Sequence, residues 1–354
     1  MNKWVAKNIV YNFTEFVRNE HVSKYLKQIA HIPYQPRNEI IKLQEEKLRE
    51  TIITGYNNIP FYRKKFNEIG LNMNKLRLPD DLLKIPILKK QDLQENYEYL
   101  INPELKRRIS RESTSGSSGK PLVVIKDRDK SAYIRAVMYR CYMQYGIEIG
   151  DKQARFWGMP INKKGYLIEK MKDIVANRVR LAAFMLNDKS FSKFAIKMQN
   201  IRPRYFCGYP SLIYKFSQWF SEKNVTFKNS NLSVIITTGE VLYDFQRELM
   251  EKTFNCKVAN EYGATESGIM AFECHEGNLH INSDHVYLET VVSGGPNGVG
   301  DIVITELNNK YNPLIRYELG DVGEISYSSC RCGVEFPILK NILGRQGSFI
   351  ITPD

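Results

Sequence analysis

The chain has 354 residues, of which 43% are hydrophobic, 25% charged and 12% aromatic, a balance that excludes disulfide-stapled miniature folds and extensive disorder. This length usually exceeds what one hydrophobic core supports, so at least two packed subdomains are expected. No segment approaches the roughly 18 consecutive apolar residues of a membrane span, and the N-terminus lacks a signal-peptide pattern. A cytoplasmic protein without a transmembrane segment is therefore expected.

The charge of the chain favours anionic partners. Lysine and arginine number 51 against 39 aspartate and glutamate residues, giving a formal net charge of +12. The basic residues are scattered and no nucleic-acid-binding motif accompanies them, so nucleic acid is not an expected partner. Lys24 and Lys27, on a predicted amphipathic helix, leave contact with a membrane surface as an alternative. Nothing in the sequence indicates the oligomeric state.

The first hundred residues are predicted to be helical. Ile41, Leu48 and Ile52 are spaced to share one face of a helix, and their predicted role is packing. Proline and asparagine punctuate this region, and a helix start is predicted around Lys90 to Asp92.

Beyond residue 113, short apolar runs alternate with helical patterns, which indicates an α/β fold. Leu122–Ile125 is such a run, and Ser131–Tyr145 has the helical pattern. Val234–Thr238 is a continuous β-branched run followed by glycine, which predicts a strand buried on both faces of a mostly parallel sheet. Lys257–Asn260 is the predicted next strand.

After His280 the pattern becomes strict alternation, which predicts an antiparallel sheet or small barrel. Residues 285–292 and 300–307 are the alternating runs, and a Gly/Pro/Asn turn at residues 294–298 separates them. The predicted division is a helical lead-in at residues 1–100, an α/β core at 101–280, a β-rich subdomain at 281–343 and the start of a hinge at 344–354.

A loop rich in glycine and hydroxyl groups is the sharpest local signal; it consists of Ser113, Thr114, Ser115, Gly116, Ser117, Ser118, Gly119 and Lys120. It is not a Walker loop, because its glycines are three apart rather than five and Pro121 stands where a Ser or Thr is needed. Its chemistry nevertheless suits a polyphosphate: glycines let the backbone wrap an anion, hydroxyl and N–H groups donate to it, and Lys120 supplies charge. The alternative is an ordinary Ser/Gly-rich surface loop.

This loop resembles the phosphate loop of the adenylate-forming superfamily, and three further segments resemble that family's motifs in the same order. Asn260–Glu266 resembles its Tyr-Gly-x-Thr-Glu segment. Tyr317–Asp321 resembles its Tyr-Arg-Thr-Gly-Asp segment, with Glu and Leu in the middle positions. Gly344–Arg345 resembles the start of its hinge motif. Within the superfamily the chain is similar to the phenylacetate–CoA ligase-like proteins and their relatives from capsular polysaccharide clusters, over about residues 40 to 350.

The resemblance implies an N-terminal domain with a helical lead-in, an α/β core and a small barrel-like β unit. It also implies a reaction in which ATP and a small carboxylic acid form an acyl-adenylate and pyrophosphate. Coenzyme A, or an amine or hydroxyl of a sugar precursor, would then displace AMP. In this resemblance Lys120 and the loop hydroxyls hold the β- and γ-phosphates, Thr265 binds the α-phosphate and Glu266 holds Mg²⁺.

The remaining residues that the resemblance assigns to ATP or AMP are Gly239, Glu240, Tyr262, Gly263, Asp321 and Arg345. Tyr262 would lie on the adenine face, Asp321 would accept the ribose hydroxyls, and Gly239 would begin an adenine-side turn. Each has a plainer alternative: a turn at the Tyr-Gly pair, an Asx turn at Asp321, and a helix-terminal charge at Glu266. The joint presence of the motifs in order favours the nucleotide site.

The chain departs from the family at its end. The family's acidic hinge positions correspond to Gly347 and Ser348, and the sequence stops at Asp354 before the family's mobile C-terminal domain. The expectation is either the N-terminal part of an enzyme or a naturally shortened and inactive protein. A non-catalytic nucleotide-binding or scaffold protein is therefore the competing hypothesis.

Cys274, His280, Cys330 and Cys332 have the composition of a closed structural zinc site. His275 is an alternative to His280, and reduced thiols packed like small hydrophobic residues are the alternative to a metal.

The acid is not identified by the sequence. Four aromatic residues either line a pocket for an aromatic acid or belong to the core; they are Trp157, Tyr205, Phe206 and Tyr209.

Overall fold

A computed structural model describes most of the chain; the described residues are 1–105, 109–113, 122–160, 162–182, 187–229, 231–291 and 299–345. Ser113 is therefore the one member of the predicted phosphate loop within the described residues. The turn at residues 294–298 and the residues after Arg345 also lie outside them. None of the helices within these ranges is long and apolar enough to cross a membrane.

The helices are α1 (Lys3–Val5), α2 (Asn12–Arg18), α3 (Val22–Ile29), α4 (Arg37–Asn58), α5 (Pro60–Glu68), α6 (Lys90–Glu95), α7 (Arg128–Met143), α8 (Lys163–Val175), α9 (Asp188–Ile201), α10 (Pro210–Glu222) and α11 (Asp244–Phe254). A wide π-helical turn, Ala6–Tyr11, joins α1 to α2, and 3₁₀ turns lie at Ile32–Tyr34, Met73–Lys75 and Asp80–Lys84. The strands are β1 (Ile109–Ser113), β2 (Val123–Asp127), β3 (Gln153–Trp157), β4 (Arg178–Ala182), β5 (Tyr205–Gly208), β6 (Val234–Thr238), β7 (Lys257–Ala264), β8 (Gly268–Glu273), β9 (Leu279–Ile281), β10 (Val286–Val291), β11 (Gly300–Glu306), β12 (Tyr317–Ser326) and β13 (Ile338–Arg345).

These elements form two compact units that do not follow chain order. The first unit comprises residues 1–20, 138–262 and 273–277; the second comprises residues 21–137, 263–272 and 278–354. The mixed α/β class predicted from the sequence is confirmed. The predicted domain boundaries near residues 100, 280 and 343 stay a prediction.

The first unit contains a parallel sheet in the order β4-β3-β5-β6-β7. The predicted strand Val234–Thr238 is confirmed as β6, and four of its five residues are buried, as expected for a strand covered on both faces. One face is covered by α9, α10 and α11, whose apolar side chains pack with Phe206, Phe216 and Phe254 in one core. β4 and β5 lie on opposite sides of β3, so the connections β3–α8–β4 and β4–α9–β5 cross the sheet in opposite directions. Because such crossovers are right-handed, α8 lies on the face opposite α9.

The second unit contains an antiparallel series in the order β10-β11-β12-β13-β9, with β8 hydrogen-bonded beside β9, together with the hairpin β1–β2. The alternating runs predicted after His280 are confirmed as β10 and β11. In the helical part, Leu48 and Ile52 of α4 are fully buried in one core with Phe66, as predicted. The prediction for Ile41 is wrong: it is 48% exposed and the neighbouring Ile40 is buried instead. Near the start of α4, the residue that packs in the core is therefore one position earlier than the helical spacing predicted.

Candidate functional site

In the first unit, predicted site residues collect at the carboxyl ends of the parallel strands, where open α/β sheets usually bind ligands. Gly239 follows β6 with a φ of +80°, a conformation that favours glycine. A Cβ there would lie 3.1 Å from Cε1 of Tyr209. The next residue, Glu240, accepts a hydrogen bond of 3.1 Å from the backbone N–H of Ser211 in the first turn of α10, a favourable place for a negative charge.

Glu261, which immediately precedes Tyr262 near the end of β7, is fixed from two sides. Its carboxylate accepts hydrogen bonds from the hydroxyl of Tyr142 at 2.9 Å and from Thr238 Oγ1 at 3.0 Å. Burial raises the pKa of this carboxyl, and the two hydrogen bonds act in the opposite direction. The backbone that presents Tyr262 is therefore anchored to α7 and β6. Sequence reasoning missed Glu261, although it lies within the matched Asn260–Glu266 segment.

The four candidate aromatic residues divide into two pairs. Phe206 is fully buried in the core, and Tyr205 is buried beside Tyr142. Trp157 and Tyr209 instead lie at the ends of β3 and β5, with ring centroids 4.3 Å apart and planes 17° from parallel. The guanidinium carbon of Arg155 lies 4.6 Å from the Trp157 ring centroid. Only this second pair borders Gly239 at the edge where a ligand could bind.

In the second unit, a tight turn between β7 and β8 carries Thr265 and Glu266. A Cβ on Gly263 would lie 2.6 Å from the carbonyl oxygen of Gly268, so the two backbones approach too closely for a side chain. Glu266 accepts a hydrogen bond of 3.4 Å from the hydroxyl of Tyr317. This contact connects two of the matched motifs, because Tyr317 begins the segment that ends at Asp321.

Asp321 lies within a bulge in β12. Val303 of β11 pairs with Glu318, and Asp301 pairs with Val322, so three residues of β12 face the single residue Ile302. Gly320 lies within this bulge with a φ of +78°. Bulges re-aim side chains and are common next to active sites. The structure thus brings Glu266 to the strand that carries Asp321. Lys120 and the side chain of Arg345 are not among the parts of the chain that the structure describes.

A buried ion pair supports the same part of the second unit. Lys130, in the first turn of α7, lies 2.8 Å from Glu306 Oε1, and both side chains are 2% exposed. The other oxygen of Glu306 accepts hydrogen bonds from Asn309 Nδ2 at 2.8 Å and from the Leu314 N–H at 3.1 Å. Lys130 also borders, with Glu266, a cavity of about 30 Å³, which is large enough for water but not for a nucleotide. Sequence reasoning missed both members of this pair.

His285, one of the three histidines near the cysteines in the sequence, is engaged elsewhere. Its Nε2 is 2.7 Å from the carbonyl oxygen of Ser267, and its ring packs beside that of Tyr133. Burial lowers the pKa of His285, and the carboxylates of Asp284 and Glu306 only partly offset this effect. The imidazole is therefore held neutral in the folded state.

This burial predicts a pH dependence of stability. An unfolded chain binds a proton at histidine below a pH of about 6.5, whereas buried His285 does not, so stability falls as the pH decreases below that value. We expect His285→Gln to remove up to about 1.4 kcal/mol per pH unit of this slope. Denaturant titrations between about pH 7.5 and 5, the range around the ordinary histidine pKa, measure the slope of stability against pH. His31→Gln, at an exposed histidine, is the control; an unchanged slope in His285→Gln would contradict the assignment.

Three of the predicted metal ligands lie together in the second unit. Nε2 of His280 is 3.3 Å from Cys332 Sγ, and the ligand atoms of His280, Cys330 and Cys332 lie within 4.8 Å of one another. Nδ1 of His280 is 2.8 Å from the carbonyl oxygen of Phe336. An Nδ1–H donated to that oxygen leaves the Nε2 lone pair facing the thiol, the arrangement of many metal-binding histidines. Burial also lowers the pKa of His280, which favours the neutral, ligating form.

The two thiols accept polar donors as zinc-bound thiolates commonly do. Asn278 Nδ2 is 3.2 Å from Cys330 Sγ, and the N–H of Val334 is 3.4 Å from Cys332 Sγ. Cys274 is buried within the first unit's segment at residues 273–277. His275, the alternative ligand, contacts the carbonyl oxygen of Gln144 through Nε2 and packs on Tyr145. The residues fit a zinc ion in donor type and histidine tautomer.

Comparison with known proteins identifies relatives over most of the chain, although no family model matches. The chain is 26% identical over 327 residues to a phenylacetate-coenzyme A ligase of Thermus thermophilus, covering 89% of this chain and 72% of that protein. It is 23% identical over 348 residues to Protein CapK of Staphylococcus aureus, covering 95% of this chain and 74% of that protein.

A solved structure shares the fold. An open conformation of 2-hydroxyisobutyryl-CoA ligase in complex with 2-HIB-AMP and CoA matches with a TM-score of 0.73 at 20% identity, over 89% of this chain and 77% of that one. The matched segments Asn260–Glu266 and Tyr317–Asp321 lie at the turn and the bulge described above. Over most of its length the chain is therefore similar to the phenylacetate–coenzyme A ligase-like proteins of the adenylate-forming superfamily.

Proposed function

We propose that this protein activates a small carboxylic acid with ATP. An oxygen of the carboxylate attacks the α-phosphorus, pyrophosphate leaves, and an acyl-adenylate forms. A nucleophile then attacks the acyl carbon and AMP leaves. The observation that carries this proposal is the hydrogen bond from Tyr317 to Glu266, because it brings together two motif segments separated by more than fifty residues of sequence. A non-catalytic nucleotide-binding or scaffold protein remains the second candidate.

The residues support a division of roles. Glu266 supplies the carboxylate oxygens that a magnesium ion prefers, and Tyr317 orients that carboxylate. Thr265, in the same turn, would donate to the α-phosphate, and Asp321 within the bulge would accept the ribose hydroxyls. In the first unit, Tyr262 would lie on the adenine face, with Gly239 and Glu240 at the adjoining turn. Lys120 would hold the leaving pyrophosphate by charge.

The acid-binding region is proposed to include Trp157 and Tyr209. Their stacked rings border Gly239 at the carboxyl edge of the parallel sheet, and they offer an apolar face to a substrate. Phe206 is excluded because it is fully buried in the core. Coenzyme A is the acceptor that the relatives' names favour. An amine or hydroxyl of a sugar precursor is the alternative, in keeping with the similarity to Protein CapK.

We also propose a structural zinc ion held by Cys330, Cys332, His280 and Cys274. The support is the His280–Cys332 contact, the histidine tautomer and the N–H donors to both sulfurs. Cys274 precedes Asn278, the donor to Cys330, by four residues. Three thiolates and one imidazole would close the coordination shell, which is the arrangement of structural rather than catalytic zinc.

This proposal predicts about one zinc per chain in protein purified without chelators. Cys332→Ser should reduce the metal content several-fold or more and should destabilise the second unit, because metal binding and folding are coupled. Cys256→Ser is the matched control, since Cys256 lies in the first unit and burial raises its pKa to about 12. Elemental analysis and thermal melting measure both effects. Zinc-free wild-type protein, or equal zinc in the two variants, would contradict the site.

The acid and the acceptor are tested together. The protein is incubated with ATP, Mg²⁺ and aryl, hydroxy, fatty and amino acids in turn, and isotope exchange between pyrophosphate and ATP is measured. We expect exchange that depends on one class of acid. Mass spectrometry after addition of coenzyme A or an amine then identifies the acceptor. Nucleotide binding without exchange for any acid would favour the non-catalytic alternative.

A further inference from the structure

The N-terminal helical segment, defined as α1, the π-helical turn and α2, exposes an unusual number of large apolar side chains. Ile9, Phe13 and Phe16 recur at the i, i+4, i+7 spacing and are 52%, 66% and 83% exposed. Trp4 is 64% exposed. Isolated exposed apolar residues are ordinary, but a stripe of this size marks an interaction surface.

A second stripe runs along α8. Leu167, Met171 and Ile174 have the same i, i+4, i+7 spacing and are 62%, 61% and 71% exposed. In the first unit, α8 lies against the π-helical turn of the N-terminal segment. The two stripes therefore belong to neighbouring helices of one unit. We call the two stripes together the apolar helical surface.

The N-terminal segment is held firmly by its other face. Ala6 is buried, and Lys3 Nζ lies 3.0 Å from Asp151 Oδ1. Gly150 has a φ of +90°, and a Cβ there would lie 2.8 Å from the backbone nitrogen of Lys7. The helix backbone thus packs directly on this loop. The N-terminal segment therefore packs on the first unit through the face that carries Ala6, and this leaves the apolar stripe exposed.

The exposed charge on the apolar helical surface is basic, because Glu15, the acidic residue of α2, is half-buried. The acidic residues of α8, Glu169 and Asp173, both turn inward and pair with Arg180 of β4 at 2.7 and 2.8 Å. The exposed charges of α8 are consequently basic. The exposed basic residues of α2 and α8 are Arg18, Lys163, Lys164 and Lys172, of which Lys172 pairs with Glu169 at 2.7 Å. Exposed apolar and aromatic side chains beside lysines are typical of helices that lie in the headgroup region of an anionic bilayer.

We propose that the apolar helical surface binds reversibly to an anionic lipid membrane. Phe13, Phe16 and the α8 stripe would enter the boundary between headgroups and acyl chains, and the lysines would contact the lipid phosphates. The helices would lie along the membrane surface. This attachment is separate from the nucleotide-binding residues and does not depend on the proposed activity.

Flotation with vesicles tests the proposal. Vesicles of phosphatidylcholine with about a third phosphatidylglycerol are compared with pure phosphatidylcholine, at low and high salt. We expect binding to the anionic vesicles that weakens in high salt. Phe13→Ser with Phe16→Ser should reduce partitioning about tenfold or more. Lys163→Glu with Lys164→Glu should also reduce it.

Matched controls come from the opposite face of the same parallel sheet. Tyr243→Ser with Phe245→Ser changes two aromatic residues near the start of α11 that are 54% and 56% exposed, and should leave partitioning unchanged. Circular dichroism verifies that each variant folds. Absence of wild-type binding to anionic vesicles, equal binding to neutral ones, or equal losses in both aromatic pairs would overturn the proposal. So would a dimer, seen by light scattering, that the Phe13 and Phe16 changes abolish without any vesicle binding.

Discussion

Lys120→Ala should lower acid-dependent adenylation about a hundredfold or more while leaving the stability of the protein nearly unchanged. The proposed role of Lys120 is to stabilise the charge that develops on pyrophosphate as it leaves. Removal of a donor that faces a developing charge usually costs this much in rate. The sequence predicts that Lys120 lies in a Ser/Gly-rich loop, and a lysine in such a loop contributes little to the free energy of unfolding.

The control for this variant is Lys64→Ala, which removes an equal charge from an exposed position of α5. Initial rates of pyrophosphate exchange and thermal melting should be measured on both variants. We expect Lys64→Ala to retain the wild-type rate. Wild-type exchange by a folded Lys120→Ala protein would show that the loop does not hold the phosphates.

Lys130→Met should destabilise the protein by about 3 to 5 kcal/mol, because it leaves the carboxylate of Glu306 buried without its counterion. Both partners are 2% exposed at a distance of 2.8 Å. The hydrogen bonds that Asn309 and Leu314 donate to Glu306 fix the carboxylate in place, so it cannot turn toward water. Methionine preserves most of the volume of lysine, so the effect reports the lost charge.

Lys310→Met is the matched control, because Lys310 pairs with Glu50 where both side chains are more than half exposed. Exposed pairs contribute about 0 to 1 kcal/mol. Urea unfolding of the two variants measures the difference, and Lys130→Met with Glu306→Leu should recover part of the loss. A loss below about 1 kcal/mol in Lys130→Met would show that the pair is not as desolvated as the structure indicates.

Local patterns were sufficient to predict many of the elements. The β-branched run at Val234–Thr238 forms β6 as predicted, because a strand covered on both faces requires continuous apolar residues. Strict alternation likewise predicted β10 and β11, although Ile302–Glu306 of β11 are buried on both faces. The order of the matched motifs along the chain predicted the resemblance to the adenylate-forming superfamily. Each single strand or motif signal is contained within a few consecutive residues.

The contacts that shape the candidate site could not be predicted in this way. The Tyr317–Glu266 hydrogen bond and the Lys130–Glu306 ion pair each join residues far apart in the sequence. No local period marks such partners, since they are set by how strands and helices pack. The error at Ile41 has a similar origin: helical spacing predicts a shared face, and tertiary contact decides that Ile40 is covered. Burial in the fold also determined which aromatic pair, Trp157 and Tyr209, remains at the sheet edge.

The central claim is that a carboxylate oxygen of the substrate attacks the α-phosphorus of ATP, and oxygen labelling tests it most directly. The acid that supports exchange is labelled with ¹⁸O in its carboxylate and incubated with ATP, Mg²⁺ and hydroxylamine to capture the acyl group. Because the bond between carbon and the bridging oxygen breaks in the second step, the account predicts one ¹⁸O atom in the AMP product. Glu266→Gln should form little labelled AMP. Unlabelled AMP, or ¹⁸O in inorganic phosphate with ADP as the other product, would contradict adenylation of the carboxylate.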